Sequence, residues 1–481
     1  MSISTYSRTA IRKIQVAVPC IFLALTNLAH ASETPEGQVN GAAMGSPWAV
    51  PFIGLLLSIA LVPLIAPAFW HHNYGRISAA WGAAFIAPFA MYFGPSLALH
   101  EFLHVMLLDF IPFITVLFAL YTISGGVFVE GNVRATPIRN TSLLAFGALI
   151  ASIAGTTGAS VLLIRPLLRA NASRRYNVHV VIFFIFLVSN IGGSLTPLGD
   201  PPLYIGFLKG VDFFWPAKAL WSVTLLVSAI LLTAFFLLDT ILMRREPLAS
   251  DNEPTISIRI RGYLNIVLLA AVIAVILASA SWQTSLLVSI LGIEVDAPNV
   301  LRVIALLGLA AISLMFTPQA FRAGNDFTWG PIEEVAKLFS GIFITIIPVI
   351  AMLKAGSDGA FASSLALVSN ADGSPNNLMY FWVTGGLSSF LDNAPTYLVF
   401  FNAAGGDAQV LMGAKASTLA AISAGAVFMG ANTYIGNAPN FMVKAIAEEA
   451  GVRMPSFFIY MVWSGLVLLP TFAVVSVLFF A

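Results

Sequence analysis

The chain has 481 residues, 58% of them hydrophobic and 9% charged, where a soluble domain carries roughly 25% charge. That composition predicts a polytopic membrane protein, and a net charge of +1 excludes a general basic surface for nucleic acid. A single cysteine, Cys20, excludes a disulfide framework and any cysteine-based metal site.

Residues 1–31 read as a secretory signal peptide or an uncleaved signal anchor. Arg8, Arg12 and Lys13 precede an apolar stretch from Ile14 to Leu28, and Ala29-His30-Ala31 fits a small-x-small cleavage pattern. Residues 32–47 read as an exported linker. Apolar segments then predict spans near 48–70, 78–98, 103–127, 178–208, 217–242, 262–283, 300–317, 331–353, 415–447 and 457–480. Most match the roughly 20 residues that a helix needs to cross a bilayer.

Two of these runs, 178–208 and 415–447, are too long for one straight helix, and each contains a break. Thr196-Pro-Leu-Gly-Asp-Pro-Pro202 and Thr433-Tyr-Ile-Gly-Asn-Ala-Pro439 share the pattern Thr-x-x-Gly-[Asp/Asn]-x-Pro, preceded by Asn190 and Asn432. Gly and Pro interrupt helices, and interrupted backbone at membrane depth survives only where protein or a water-filled cavity encloses it. Two further apolar stretches, 140–165 and 376–402, carry polar centres at Gly155-Thr-Thr-Gly158 and Ser388-Ser-Phe-Leu-Asp-Asn-Ala-Pro395. They are expected to be re-entrant hairpins.

With residue 48 outside, fourteen Arg and Lys fall on cytoplasmic connections, against five (Lys209, Lys218, Arg302, Lys354 and Lys415) on the outer side. This satisfies the positive-inside rule. No arginine is predicted at the midplane. The order of spans, hairpin, broken helix and final span occurs twice. In addition, Val105, Leu108, Phe113, Ile114 and Thr115 match Val335, Leu338, Phe343, Ile344 and Thr345 at an offset of 230. The expected fold is an all-α membrane protein with two inverted-topology repeats, 48–243 and 262–481, joined by a cytoplasmic connector at 244–261.

Three segments carry a family resemblance. Ser189-Asn-Ile-Gly-Gly-Ser-Leu-Thr-Pro-Leu-Gly-Asp-Pro-Pro202 resembles the first broken-helix signature of the ion transporter superfamily, and Phe390-Leu-Asp-Asn-Ala-Pro395 resembles its second hairpin tip. Trp329-Gly-Pro-Ile-Glu-Glu-Val-Ala-Lys-Leu-Phe339 is similar to the entry of a later span. The superfamily includes NhaD-type sodium/proton antiporters, arsenite-pump subunits and citrate or dicarboxylate carriers. The nearest grouping is named both for citrate transport and for sodium/proton antiport. The resemblance covers roughly residues 50–480. It implies a multi-pass protein of the bacterial inner membrane, a homodimer and an elevator motion. Dicarboxylate carriers of the superfamily show Ser-Asn-Thr at both tips, which this chain lacks.

Among candidate site residues, Asp392 and Asn393 at the second hairpin tip come first. An intramembrane carboxylate beside an Asn suits Na⁺ or H⁺, and the alternative, which can coexist with it, is that Asp392 caps a helix. Asn190 and Thr196 at the first break, with Asn432 and Thr433 at the second, could coordinate an ion or satisfy freed backbone groups. Thr156 and Thr157 at the first hairpin tip are further hydroxyl candidates. Asp200 could line the ion path or cap the second half of its broken helix. Glu333 and Glu334 could relay protons, or could form an interfacial cluster with Lys337 at i,i+4 from Glu333.

His100-Glu-Phe-Leu-His104 matches H-E-x-x-H, which raises a remote alternative, an intramembrane zinc metalloprotease with Glu101 as base. A third ligand is missing, so His100, Glu101 and His104 read instead as an interfacial cluster able to sense pH or simply to anchor. His71 and His72 read as anchors at the first cytoplasmic exit. No Gly-Lys-Ser/Thr loop is present for nucleotide. The function expected is secondary transport, with Na⁺/H⁺ antiport first and Na⁺- or H⁺-coupled citrate or dicarboxylate uptake as the alternative. No cofactor or resident metal is expected. The partners are the lipid bilayer, small ions and, in the alternative, a carboxylate anion.

Overall fold

The computed structural model describes residues 39–132, 135–246, 256–282 and 284–481. The signal segment 1–31 and Arg134 lie outside the described residues.

The chain is an all-α membrane protein. Among the described residues eight helices are long and apolar enough to span a bilayer, with one further bent pair. Helix α1 (Val50–Ile65) and α2 (Pro67–Phe93) replace the predicted run 48–70. The break falls at Ala66, because a residue before proline is pushed out of the helical region. Trp70, His71 and His72 therefore open α2 rather than close α1.

Helix α3 (Pro95–Val105) passes through a π-helical segment, Met106–Phe110, into α4 (Ile111–Ser124). Pro112 cannot donate to the carbonyl four residues back, and the wider turn accommodates that loss. His100, Glu101 and His104 thus lie inside a span beginning at Pro95 and not at the edge of one beginning near 103.

Strand β1 (Phe128–Asn132) leads to the first hairpin, α5 (Pro137–Ala154) and α6 (Thr156–Ala170). The first broken helix follows as α7 (Val178–Leu187), a 3-10 turn (Ile191–Leu195) and α8 (Pro201–Leu208). Span α9 (Trp215–Arg244) then leads to strand β2 (Ile256–Arg261), which pairs antiparallel with β1.

Helix α10 (Tyr263–Ser281) precedes a hairpin of β3 (Leu287–Ile290) and β4 (Ile293–Asp296). Its two-residue turn has positive φ at both Leu291 and Gly292, as the twist of such hairpins demands. These strands were not expected from sequence, although Ile256-Ser-Ile-Arg-Ile-Arg261 alternates with the period of a strand.

Next come α11 (Ala297–Phe316), α12 (Gln319–Gly324), α13 (Gly330–Thr345) and α14 (Ile347–Lys354), the last two bent by 42°. After a short helix α15 (Ala362–Ala366), the second hairpin is α16 (Asn377–Ser388) and α17 (Asn393–Ala403). The short α18 (Ala408–Met412) leads to the second broken helix, α19 (Ala416–Met429) and α20 (Ala438–Glu449). Helix α21 (Phe457–Phe479) ends the fold.

Burial separates an inner from an outer set. Every residue of α7 from His179 to Leu187 is buried, as are most of α19. A helix apolar all round belongs inside. By contrast α9 and α21 expose Trp221, Leu225, Leu237, Phe458, Val462 and Leu466, the faces that meet lipid. The rings of Phe113 and Phe343, a matched pair in sequence, touch at 5.5 Å between centroids.

Candidate ion-binding site

Each hairpin is tied to its broken helix by the same hydrogen bonds. At the first, Ser152 Oγ donates to Gly192 O and Thr196 Oγ1 donates to Ser152 O. At the second, Ser389 Oγ donates to Met429 O and Thr433 Oγ1 donates to Ser389 O. All three residues of the second set lie 237 positions after their counterparts (Ser152 and Ser389, Gly192 and Met429, Thr196 and Thr433). The backbone folds back tightly at both breaks. A Cβ on Gly199 would lie 2.1 Å from Gly193 O, and one on Gly436 would lie 2.6 Å from Gly430 O.

The two hairpin tips and the two breaks meet at one carboxylate, Asp200, which is 1% exposed. Its Oδ1 accepts from Thr156 Oγ1 at 2.9 Å and from Asn437 Nδ2 at 3.0 Å, and its Oδ2 accepts from Asn393 Nδ2. Thr156 opens α6 and Asn393 opens α17, so each tip sends its first helical side chain to the same group. The same 237-position relation links Thr156 to Asn393 and Asp200 to Asn437.

A buried amide chain extends the cluster. Asn437 Nδ2 also reaches Asn190 Oδ1 at 3.2 Å, and Asn190 Nδ2 donates to Asn440 Oδ1 at 2.7 Å. Asn440 in turn closes onto Gly430 O and Thr433 O. Two side-chain oxygens here, Asn393 Oδ1 and Asn432 Oδ1, are buried without a hydrogen-bond partner. Free acceptors of this kind suit a cation or a donating water.

The electrostatics come from backbone, not from side-chain cations. Helices α6, α8, α17 and α20 all begin at this cluster, and the partial positive charge of a helix N-terminus favours a negative group. Among the described residues no Lys, Arg or His forms an ion pair with Asp200 or Asp392.

Of the two aspartates, each expected either to line the ion path or to cap a helix, Asp392 makes the capping bond and Asp200 does not. Asp392 is half-buried and caps α17, its Oδ1 accepting from Ala394 N at 3.1 Å. Asp200 holds the N-cap position of α8 without capping it and turns its carboxylate across to the hairpins.

The remaining candidates occupy several places. Thr196 and Thr433 bind hairpin carbonyls, and Asn432 donates to Ser389 Oγ at 2.9 Å. Thr157 is half-buried and is not among the hydrogen-bond partners of Asp200. Glu333 is exposed and takes Lys337 at 2.5 Å, while Glu334 hydrogen-bonds Trp70. His100 and His104 lie 6.2 Å apart between ring centroids. Among the described residues no group of three His, Cys, Asp or Glu is placed to hold a metal.

The sequence did not single out Asn437 as a partner of Asp200, Asn440, or the hairpin serines Ser152 and Ser389. The recurring Gly-[Asp/Asn]-x-Pro motif already contained Asn437. The charge distribution over the predicted spans placed Arg302 on the outer side. In the structure Arg302 is 5% exposed within α11, with its guanidinium over the Phe207 ring of α8 at 5.6 Å.

Comparison with known proteins fits this architecture. The profile of one family, described as "Putative citrate transport", matches residues 41–480. The chain belongs to that family. Two curated relatives, each called an uncharacterized transporter, come from Mycobacterium bovis and Mycobacterium tuberculosis. Each is 25% identical over 336 residues, covering 68% of this chain and 73% of its own. As a member of that family the protein is a multi-pass membrane transporter and not an enzyme. The metalloprotease alternative drawn from His100, Glu101 and His104 falls with that assignment.

Proposed function

We propose that the protein is a secondary active carrier of the bacterial inner membrane that couples a Na⁺ or H⁺ gradient to movement of a citrate-class carboxylate. Asp200 is the group that takes up and releases the coupling ion. The observation that carries this reading is the convergence of both hairpin tips and both broken helices on that single buried carboxylate. A buried carboxylate without a cationic side chain is stable only when a proton, a metal cation or dipoles neutralise it. H⁺ and Na⁺ then compete for one group, and that competition links the site to a gradient.

The carboxylate solute is supported by the family description and by Arg302, a buried guanidinium beside α8 whose Nε has no hydrogen-bond partner. The 237-position correspondence supports two inverted-topology repeats. In transport, the hairpins and broken helices would move as a unit against the remaining helices. Among the described residues, ion pairs that cross that boundary and would have to part include Lys209–Asp109 at 2.6 Å, Arg165–Asp326 at 2.9 Å, and those of Arg174 and His179 to Asp239 of α9, at 2.6 and 2.8 Å.

One observation favours a second reading, Na⁺/H⁺ exchange without an organic anion: the Asp200 cluster itself presents only amides, a hydroxyl and a carboxylate. Purified protein in liposomes, with an internal pH dye, an imposed Na⁺ gradient and labelled citrate, separates the two. Citrate accumulation that needs a Na⁺ or H⁺ gradient and is lost in Asp200→Asn is the expected outcome. A Na⁺-driven pH change without citrate uptake would replace it with exchange.

A further inference from the structure

Helices α2 and α13 run side by side from the arginine-rich end of the molecule. A Cβ on Gly75 would sit 2.9 Å from the Lys337 chain, Ser78 Oγ donates to Lys337 O at 2.7 Å, and a Cβ on Gly82 would lie 3.9 Å from Ile344. At the near end, His71, His72, Tyr74, Arg76 and Lys337 line a cationic pocket of about 390 Å³. Ala79 also lines an adjoining apolar groove of about 540 Å³, whose other walls include Gly82, Ile86, Ala90, Gly341 and Ile344.

The two cavities together have the form of one amphipathic ligand. From Ser78 to Ala90 the helix rises about 18 Å, at roughly 1.5 Å per residue. That is comparable with the roughly 15 Å hydrocarbon depth of one leaflet. Glu333 pairs with Lys337, so the unpaired positive charge of the pocket is that of Arg76. The Lys337 ammonium, with three N–H groups, keeps donor capacity beyond Glu333 and the neighbouring Tyr74, and Glu334 is turned to Trp70. The only side-chain hydrogen bond of Arg76 among the described residues is to Asn73 Oδ1, at 3.3 Å. By the positive-inside rule this end faces the cytoplasm, whose leaflet supplies anionic headgroups.

We propose that this α2–α13 cleft is a binding site for an anionic phospholipid, with the phosphate on Arg76 and Lys337 and one acyl chain along the groove. A second copy of the chain fits the cleft less well, because half of the cleft is a pocket for negative charge.

The test is native mass spectrometry of the detergent-solubilised full chain, titrated with phosphatidylglycerol, phosphatidylcholine or free glycerol phosphate. Phosphatidylglycerol is expected to be retained more tightly than phosphatidylcholine, with glycerol phosphate weakest. Arg76→Ala and Lys337→Ala should each weaken phosphatidylglycerol by about fivefold, the effect of one cation near the membrane surface. Arg76→Lys should restore most of that affinity. Gly82→Leu, which fills the groove without meeting backbone, should weaken both lipids and leave glycerol phosphate unchanged. Equal retention of the two lipids, phosphatidylglycerol binding untouched by both alanine variants, or glycerol phosphate binding as tightly as the lipid would each overturn the proposal. So would a dimer that buries the cleft and resists added phosphatidylglycerol.

Discussion

Replacing Asp200 by Asn and by Ala separates the ion site from the scaffold that holds it. Ala removes the acceptor of three hydrogen bonds. Asn437 Nδ2 keeps Ser189 O and Asn190 Oδ1, but the Thr156 hydroxyl and the Asn393 amide lose this acceptor. Two donors stranded in a buried site at about 1–3 kcal/mol each give a loss of ~2–6 kcal/mol. Against a total stability of roughly 5–15 kcal/mol, poor expression is expected.

Asn is different. Asn393 Oδ1 is unpartnered, so turning that amide over presents an oxygen to the new NH₂ and preserves the contact. Stability should stay within about 1.5 kcal/mol of wild type, the span of a neutral hydrogen bond. The ion, however, loses its counter-charge. At an effective dielectric of about 20, a cation roughly 3 Å away loses ~5 kcal/mol of attraction. Even if solvation offsets most of this, coupled flux should fall by on the order of tenfold or more. Thermal unfolding alongside gradient-driven uptake in liposomes measures both quantities. A well-folded Asp200→Asn protein that carries solute within twofold of wild type would refute the reasoning.

Three further outcomes follow from the same geometry. Asp392→Ala should cost ~1 kcal/mol as a lost helix cap while transport persists, and loss of coupling in Asp392→Asn would move the ion site to that residue. Gly199→Ala places a Cβ against Gly193 O and should sharply lower the yield of monodisperse protein, with Gly436→Ala behaving alike at the second break; a wild-type melting temperature in either would contradict the tight fold-back. Cysteines at Arg165 and Asp326, crosslinked in a Cys20-free background, should arrest transport reversibly on reduction, whereas full turnover in the crosslinked form would rule out relative motion at that boundary.

The sequence by itself determined what depends on neighbouring residues. Apolar length set the spans, Gly and Pro at 192–202 and 430–439 set the breaks, and polar residues at 155–158 and 388–395 set the hairpin tips, because helix interruption is local backbone chemistry. Asp392 could be foreseen as a cap for the same reason, since its partner, Ala394 N, lies two residues away. The identity of the central carboxylate could not be read that way. Asp200 has a central place only because Thr156, Asn393 and Asn437 reach it from 44, 193 and 237 positions away. Nothing in the residues beside Asp200 records which groups will face it. Arg302 likewise reads as a flanking charge until the fold buries it with its guanidinium over Phe207 of α8. Tertiary packing alone decides such assignments, because a side chain's partner across a fold is fixed by how helices meet and not by its own position in the chain.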